Sequence, residues 1–258
     1  MPTFEPRLEL LSLTLKSILI HMGPHDELNL HDDASSNIEE IFRLCDELAT
    51  QFSITNINVY AHNTNIGLVP NLNRALQNVA SEFFAIFGQD DIAKYQDMDY
   101  CDQLIDNNPN TDLFLFRTEF IDVNGTIILD DNIHHESDNY LKCTPSVLEL
   151  ALGWGKLTNS IRYSIHGALF RTGTVVFDET FRIEDHPIFL NKASQKKLIL
   201  SSCQSSQYRR HSGQMTSRNW SYFLDDLLIC SRYLPFHKWV IVAIKKLAQR
   251  FKRWFFTL

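Results

Sequence analysis

The chain has 258 residues, 44% hydrophobic and 21% charged, enough to bury one substantial core. A formal net charge of −7 excludes a general nucleic-acid binder, because holding a phosphate backbone takes Lys and Arg clustered over much of a face. Five scattered cysteines (Cys45, Cys101, Cys143, Cys203 and Cys230) form no C-x-x-C pair and are odd in number, which reads as buried free thiols in a reducing compartment. No apolar leader follows Met1 and no run approaches the roughly 20 apolar residues of a spanning helix, so a cytoplasmic protein is expected.

Apolar spacing predicts a helix over 8–22 and a short strand over 27–30 ending at Asp32. Ser35 and Ser36 are N-cap candidates for an amphipathic helix over 37–51 carrying Ile38, Ile41, Phe42, Leu44, Cys45 and Leu48. A strand at 57–61, a loop with Gly67 and Pro70, a helix over 71–79 and a strongly apolar strand at 83–87 follow. Next come strands at 113–121 and 126–129 about an Asn124-Gly125 turn, a polar loop at 130–139, a helix over 144–152, a strand at 168–170 and a helix from Asp185 to about 193. Repeated strand, helix, strand units imply an α/β fold, Rossmann-like, with a mostly parallel sheet flanked by helices. The division expected is a catalytic unit over 1–220, with a nucleotide half at about 1–95 and an acceptor half at about 96–220, then a helical basic tail over 221–258.

Ligands of such sheets bind at the carboxyl ends of the strands, and two Asp pairs fall there. Asp90-Asp91 is the kind of pair that holds a divalent cation and equally the kind that caps a following helix or turn. Asp32-Asp33-Ala34-Ser35-Ser36 reads as an N-cap or as acceptors for a nucleoside's base and ribose. Glu184-Asp185 opens a helix, where the macrodipole favours acids.

The order of these motifs resembles the inverting glycosyltransferases of family 2, with the GT-A-type fold, over about 1–211. Met1-Pro2-Thr3-Phe4-Glu5 looks like the family's first strand end. Asp32-Asp33-Ala34-Ser35 resembles its D-D-x-S motif, and Asn65-Ile66-Gly67 with Asn73-Arg74 the segment beneath the nucleotide. Phe87-Gly88-Gln89-Asp90-Asp91 resembles the metal-binding segment, and Phe177-Asp178-Glu179 with Glu184-Asp185 the later elements. The resemblance implies a single sugar moved from a nucleotide-sugar donor to an acceptor hydroxyl with inversion. Asp185 would be the base. Pro2, Thr3, Glu5, Asp32, Asp33, Asn65, Asn73, Arg74, Asp90 and Glu184 would contact substrate. Asp91, at an exposed strand end, with Asp90, would hold Mn²⁺ or Mg²⁺. His211 reads by itself as a further metal ligand, a contact to the diphosphate or a packed or solvated residue, with Arg209 and Arg210 near the phosphates.

The chain departs from the family pattern in places. Gly88 stands where many members carry the first Asp, Gln89 where an Asp or a small residue is frequent, and only Met1 precedes Pro2 where several apolar residues are usual. No Q-x-x-R-W element follows, which points to single transfer. A nucleotidyltransferase would need a Gly-rich loop near the start, which is missing, and an inactive sugar-nucleotide-binding subunit would keep the same fold. His134, His135 and His166 read as loop and core residues, while His21, His25, His31 and His62 lack metal-site spacing; Trp154 reads as an acceptor platform or as core. In the tail, 239–258 carries five Lys or Arg and no acid among Trp254, Phe255 and Phe256, the pattern of a helix on an anionic membrane surface or of one packed on the domain. The acceptor implied is a glycan or lipid-linked, in cell-surface polysaccharide or glycolipid synthesis.

Overall fold

The computed structural model describes residues 1–129, 140–153, 162–211 and 220–255. The loop at 130–139, with His134 and His135, and Trp154 lie outside the described residues.

Period-2 and period-3.6 patterns alternate through the first third. They build β1 (Pro2–Thr3), α1 (Leu8–Leu19), β2 (Leu28–Asp32), α2 (Ile38–Phe52), β3 (Ile57–Ala61) and α3 (Leu68–Leu76). The three strands form a parallel sheet in the order β1-β2-β3. Leu11, Leu15 and Leu19 of α1 pack with Ile41, Cys45 and Leu48 of α2 over Leu28 and Leu30. The expected Ser35 and Ser36 caps are not made: Asn37 stands at the N-cap of α2 without a side-chain bond, and both serines turn to other partners. Helix α3 starts three residues before the expected 71, because Pro70 falls in its first turn, where an N–H has no intrahelical acceptor to lose.

The second sheet is mixed. Its elements are β4 (Phe83–Ala85), β5 (Ile92–Ala93), α4 (Met98–Asp106), β6 (Leu113–Ile121), β7 (Ile127–Leu129), β8 (Lys142–Cys143), α5 (Val147–Ala151), β9 (Leu169–Arg171), α6 (Asp185–Ser194) and β10 (Leu198–Arg209). The strand order is β4-β9-β6-β10-β5, with β7 on β6 and β8 on β10. Its central pair, β6 with β10, is parallel from Leu113↔Leu198 to Ile121↔Arg209, and the other pairings are antiparallel. Strand β10 escapes sequence reading because its second half is polar. Ser201, Ser202, Gln204, Ser205 and Ser206 are all 4% exposed or less. Four of the five find partners: Ser201 Oγ donates to Tyr100 Oη at 3.2 Å, Ser202 Oγ accepts from Leu141 N at 2.9 Å, Gln204 Oε1 accepts from Arg117 at 2.8 Å, and Ser206 Oγ donates to His166 O at 2.7 Å.

Two helices close the chain, α7 (Trp220–Tyr233) and α8 (Phe236–Phe255). Ile229 and Cys230 of α7 and Val242 of α8 share a buried cluster with Leu190 of α6 and Phe181, and Trp239 Nε1 donates to Leu227 O at 2.9 Å. The opposite side exposes Leu224, Leu228, Ile241 and Ile244. The tail thus packs on the domain and keeps a second apolar face outward. All five cysteines are free thiols, and among the described residues no helix is long and apolar enough to cross a membrane.

Lys192 Nζ lies buried, 2.9 Å from Asp112 Oδ2 and 2.6 Å from Thr174 O, under the β6 end of the sheet. Removing one partner of a buried pair strands the other charge, so Asp112→Ala is expected to cost about 3–5 kcal/mol in urea unfolding. A loss below about 1 kcal/mol, the surface value, would show that solvent reaches Lys192.

Candidate functional site

The first carboxylate group works on its own backbone. Asp32 is fully buried: Oδ1 accepts from Thr3 Oγ1 at 3.0 Å and Ser35 Oγ at 2.6 Å, and Oδ2 from Ser35 N at 2.8 Å. Glu5, at φ 43°, donates its N–H to Ser35 Oγ and accepts from Ser36 N and Oγ at 2.8 and 2.9 Å. Pro2 is in register with His31. Asp33 accepts from Ile66 N at 2.7 Å and Gly67 N at 2.8 Å, clamping the loop in which Asn65 Oδ1 also accepts from Gly67 N at 3.1 Å. The D-D-x-S segment, Glu5 and the Asn65-Ile66-Gly67 turn are therefore brought together as one hydrogen-bonded unit.

Gln89 joins this unit to the second sheet. Its amide accepts from Phe4 N at 2.8 Å and donates to Phe4 O at 3.1 Å, a reciprocal pair that an Asp, with no donor when ionised, cannot make. Gly88 is also explained: a Cβ there would sit 2.7 Å from Asp91 Oδ2 and 3.1 Å from His166 Cε1. Both departures from the family pattern have local causes.

Asp91 is not the exposed strand end expected from sequence; it is 1% exposed. Sheet pairing at the end of β10 buries it, with Oδ1 accepting from Arg209 N at 2.9 Å. Its Oδ2 lies 3.2 Å from His166 Nδ1, but the two are not aligned for a hydrogen bond and each is buried without a partner. Burial, helped by the charge of Asp90, pushes the Asp91 carboxyl up to about 8, and burial takes His166 down to about 4 against the pull of Asp90 and Asp185. Both shifts favour neutral forms, so the contact is a neutral one rather than an ion pair. His166, read from sequence as core, instead stands between the carboxylates of the site. The accessible carboxylate is Asp90, whose Oδ2 lies 2.6 Å from His211 Nε2, each side chain about a quarter exposed. Arg209 anchors the segment by donating Nε to Asp90 O at 2.8 Å.

On the opposite wall, Asn73 holds the Phe177-Asp178-Glu179 segment: its amide donates to Phe177 O and Glu179 Oε1 and accepts from Phe177 N, all at 2.8–2.9 Å. Arg74 donates to His62 Nδ1 at 3.3 Å, which leaves His62 Nε2–H to donate to Asn71 Oδ1 at 3.1 Å. Glu184 precedes α6 and Asp185 opens it. Burial and the adjacent Asp185 charge raise the Glu184 carboxyl to about 7. Sequence reasoning missed His166, Gln89's clamp and the Asn71–His62 link, none of which has a spacing signal.

A cavity of about 660 Å³ lies elsewhere, lined by Met1, His31, Phe83 to Phe87, Tyr95 and Cys101. Its walls are mainly apolar, so the convergent carboxylates mark the site better than volume does. Asp90 and His211 pair an oxygen with an imidazole donor of the kind that holds a divalent cation such as Mn²⁺, but Asp91 does not close a third donor onto them within 4.8 Å. Among the described residues the one cluster of three donor atoms within 4.8 Å is His186, Asp226 and Cys230. There Lys246 Nζ already lies 2.5 Å from Asp226 Oδ2, so the cluster has its cation.

No protein-family model matches the chain, and no curated protein matches it in sequence. Solved structures do. S. aureus TarS residues 1–349 in complex with UDP-GlcNAc is similar at a TM-score of 0.67 and 17% identity, over 97% of this chain and 71% of that one. The same segment with UDP gives 0.63 and 15%, over 97% and 70%. A longer TarS structure gives 0.61 and 15%, with this chain spanning 42% of it. The likeness shows the fold: a GT-A-type α/β architecture, the expected class, with a C-terminal helix added.

Gly88→Ala is expected to lower stability by about 1–3 kcal/mol, the range for forcing atoms into a filled site. The tight contact with Asp91 Oδ2 is the cause, and an unchanged melting temperature would mean that the Asp91–His166 pair can move aside.

Proposed function

We propose that this chain is a glycosyltransferase that moves one sugar from a nucleotide-sugar donor to an acceptor hydroxyl with inversion. The observation carrying this reading is the convergence of Asp90 with His211, Asp91 with His166, and Glu184 with Asp185 at the end of a GT-A-type fold. The TarS complexes with UDP-GlcNAc and UDP on that fold support a nucleotide-diphosphate donor. Asp90 and His211 are the residues that would hold Mn²⁺ or Mg²⁺. When bound, the cation supplies charge that offsets the departing diphosphate.

Asp185 accepts the proton of the acceptor hydroxyl as that oxygen attacks the anomeric carbon from the face opposite the leaving group. Glu184, protonated up to about pH 7, limits like charge beside it. Asp33 and Asp32 shape the nucleoside end by holding the Asn65-Ile66-Gly67 turn and the Thr3 strand end, and Asn73 aligns the segment leading to Glu184. The acceptor in this reading is a glycan or lipid-linked sugar, and the enzyme works in the cytoplasm at the inner face of the membrane. The outward Ile241 and Ile244, 58% and 63% exposed, are the motive, together with the basic, acid-free sequence of 239–258.

With UDP-GlcNAc as probe, the wild type should release UDP and not pyrophosphate. Asp185→Asn should keep donor affinity while turnover falls roughly 10²- to 10⁴-fold, the loss expected for a positioned base; equal losses in both would remove Asp185 from that role. Asp90→Asn and His211→Gln should abolish Mn²⁺-dependent thermal stabilisation by UDP, and a retained Mn²⁺ effect would place the cation elsewhere.

Membrane contact is best tested without truncation, because Val242 and Trp239 are part of the packing. The double variant Ile241→Glu, Ile244→Glu should leave the melting temperature in place and release the protein from anionic vesicles in flotation. Equal flotation of both forms would discard the membrane face.

A further inference from the structure

The segment that delivers Glu184 and Asp185 is tied to α7 at three successive points. Arg232 donates to Asp178 Oδ2 at 2.6 Å and lies over the Phe181 ring at 4.4 Å. Arg182 donates its backbone N–H to Asp225 Oδ2 at 3.1 Å and its guanidinium at 3.3 Å. His186, the residue after Asp185, places Nδ1 2.6 Å from Asp226 Oδ1, and the other oxygen of Asp226 takes Lys246 Nζ of α8 at 2.5 Å. The last link is the most enclosed: His186, Asp226 and Lys246 are each about a fifth exposed or less. Burial pushes the Asp226 carboxyl up, and the His186 and Lys246 contacts more than reverse it, holding it below the usual carboxylate range. Beneath this row, Leu190 of α6 packs against Ile229 and Cys230.

We propose that Asp226 is a positioning residue for the reaction: by gripping His186 and Lys246 together, it fixes the first turn of α6 and hence the carboxylates of Glu184 and Asp185. The inference rests on the base assignment made above. A carboxylate with two cationic or donor partners on opposite oxygens is a two-sided hinge pin, and loss of either side frees the helix end that carries the base. The closing helices are then part of the catalytic framework, although no residue of theirs touches substrate in this scheme. A small displacement is enough to matter, since a shift of about 1 Å in a positioned group costs on the order of 10²-fold in rate.

The test compares wild type, Asp226→Asn, Asp226→Glu and Lys246→Met in the full chain. Two readouts are taken: turnover of UDP-GlcNAc with Mn²⁺, and amide hydrogen exchange of the peptide covering 183–189. In Asp226→Asn, kcat should fall roughly 10- to 10²-fold with KM for UDP-GlcNAc unchanged within about two-fold, and exchange at 183–189 should rise about ten-fold while β6 and β10 stay protected. Asp226→Glu should recover part of kcat. Should Asp226→Asn not fold, Lys246→Met, which breaks only the outer link, carries the same comparison. Wild-type exchange at 183–189 in the variant that folds overturns the proposal whatever the turnover. Loosened exchange with unchanged kcat overturns it as well. Loosened exchange in a protein whose wild type processes no nucleotide sugar keeps the pin and removes the glycosyltransferase reading instead.

Discussion

A strand that buries a run of serines and a glutamine in the middle of a sheet needs partners for its polar atoms, and β10 finds most of them far away in sequence, leaving Ser205 Oγ without one among the described residues. Tyr100, Arg117, Leu141 and the His166 carbonyl supply them. The cost of an unmet bond at such a site is about 1–3 kcal/mol each, so the register of β10 against β6 is pinned by chemistry as well as by its apolar first half. That register decides where Arg209 and His211 arrive. Arg209 N then caps Asp91 and its side chain holds the Asp90 carbonyl, leaving the Asp90 carboxylate beside His211.

The acids of the site divide into two kinds by how fully their oxygens are hydrogen-bonded. Asp32, Asp33 and Glu5 spend their oxygens on backbone N–H groups and hydroxyls of their own strand ends and turns. Asp90 keeps a partly open carboxylate, and Asp91 is buried with one oxygen unpartnered. A carboxylate saturated by internal donors shapes a pocket, while one with spare acceptor capacity can answer a ligand. The Gln89 amide ties the two groups together through its paired bonds to the Phe4 backbone.

The last two helices change the meaning of the tail. Sequence presents a basic amphipathic segment with no partner in view, whereas the structure turns one side of it inward through Val242, Trp239 and Lys246 and leaves Ile241 and Ile244 facing out. Lys246 illustrates the difference: counted as part of a positive face in the sequence, it is an internal ion partner of Asp226 in the fold.

Local periodicity was enough to place most of the first half of the chain. Strands at 57–61 and 113–121 and the helix at Asp185 fall where the sequence predicts them, because short apolar runs and an acidic helix start are local features of the residue pattern. The ordered acidic motifs were legible for the same local reason, being short and sitting beside strand or helix ends. Strand β10, helix α4, the burial of Asp91 and the roles of His166, Gln89 and Asp226 were not. The side-chain roles depend on partners 20 or more residues away: Gln89 on Phe4, Asp91 on Arg209, Asp226 on His186 and Lys246. A side chain's spacing along the chain carries no information about such a partner; only the packing of the two sheets and the closing helices brings the two groups within bonding distance.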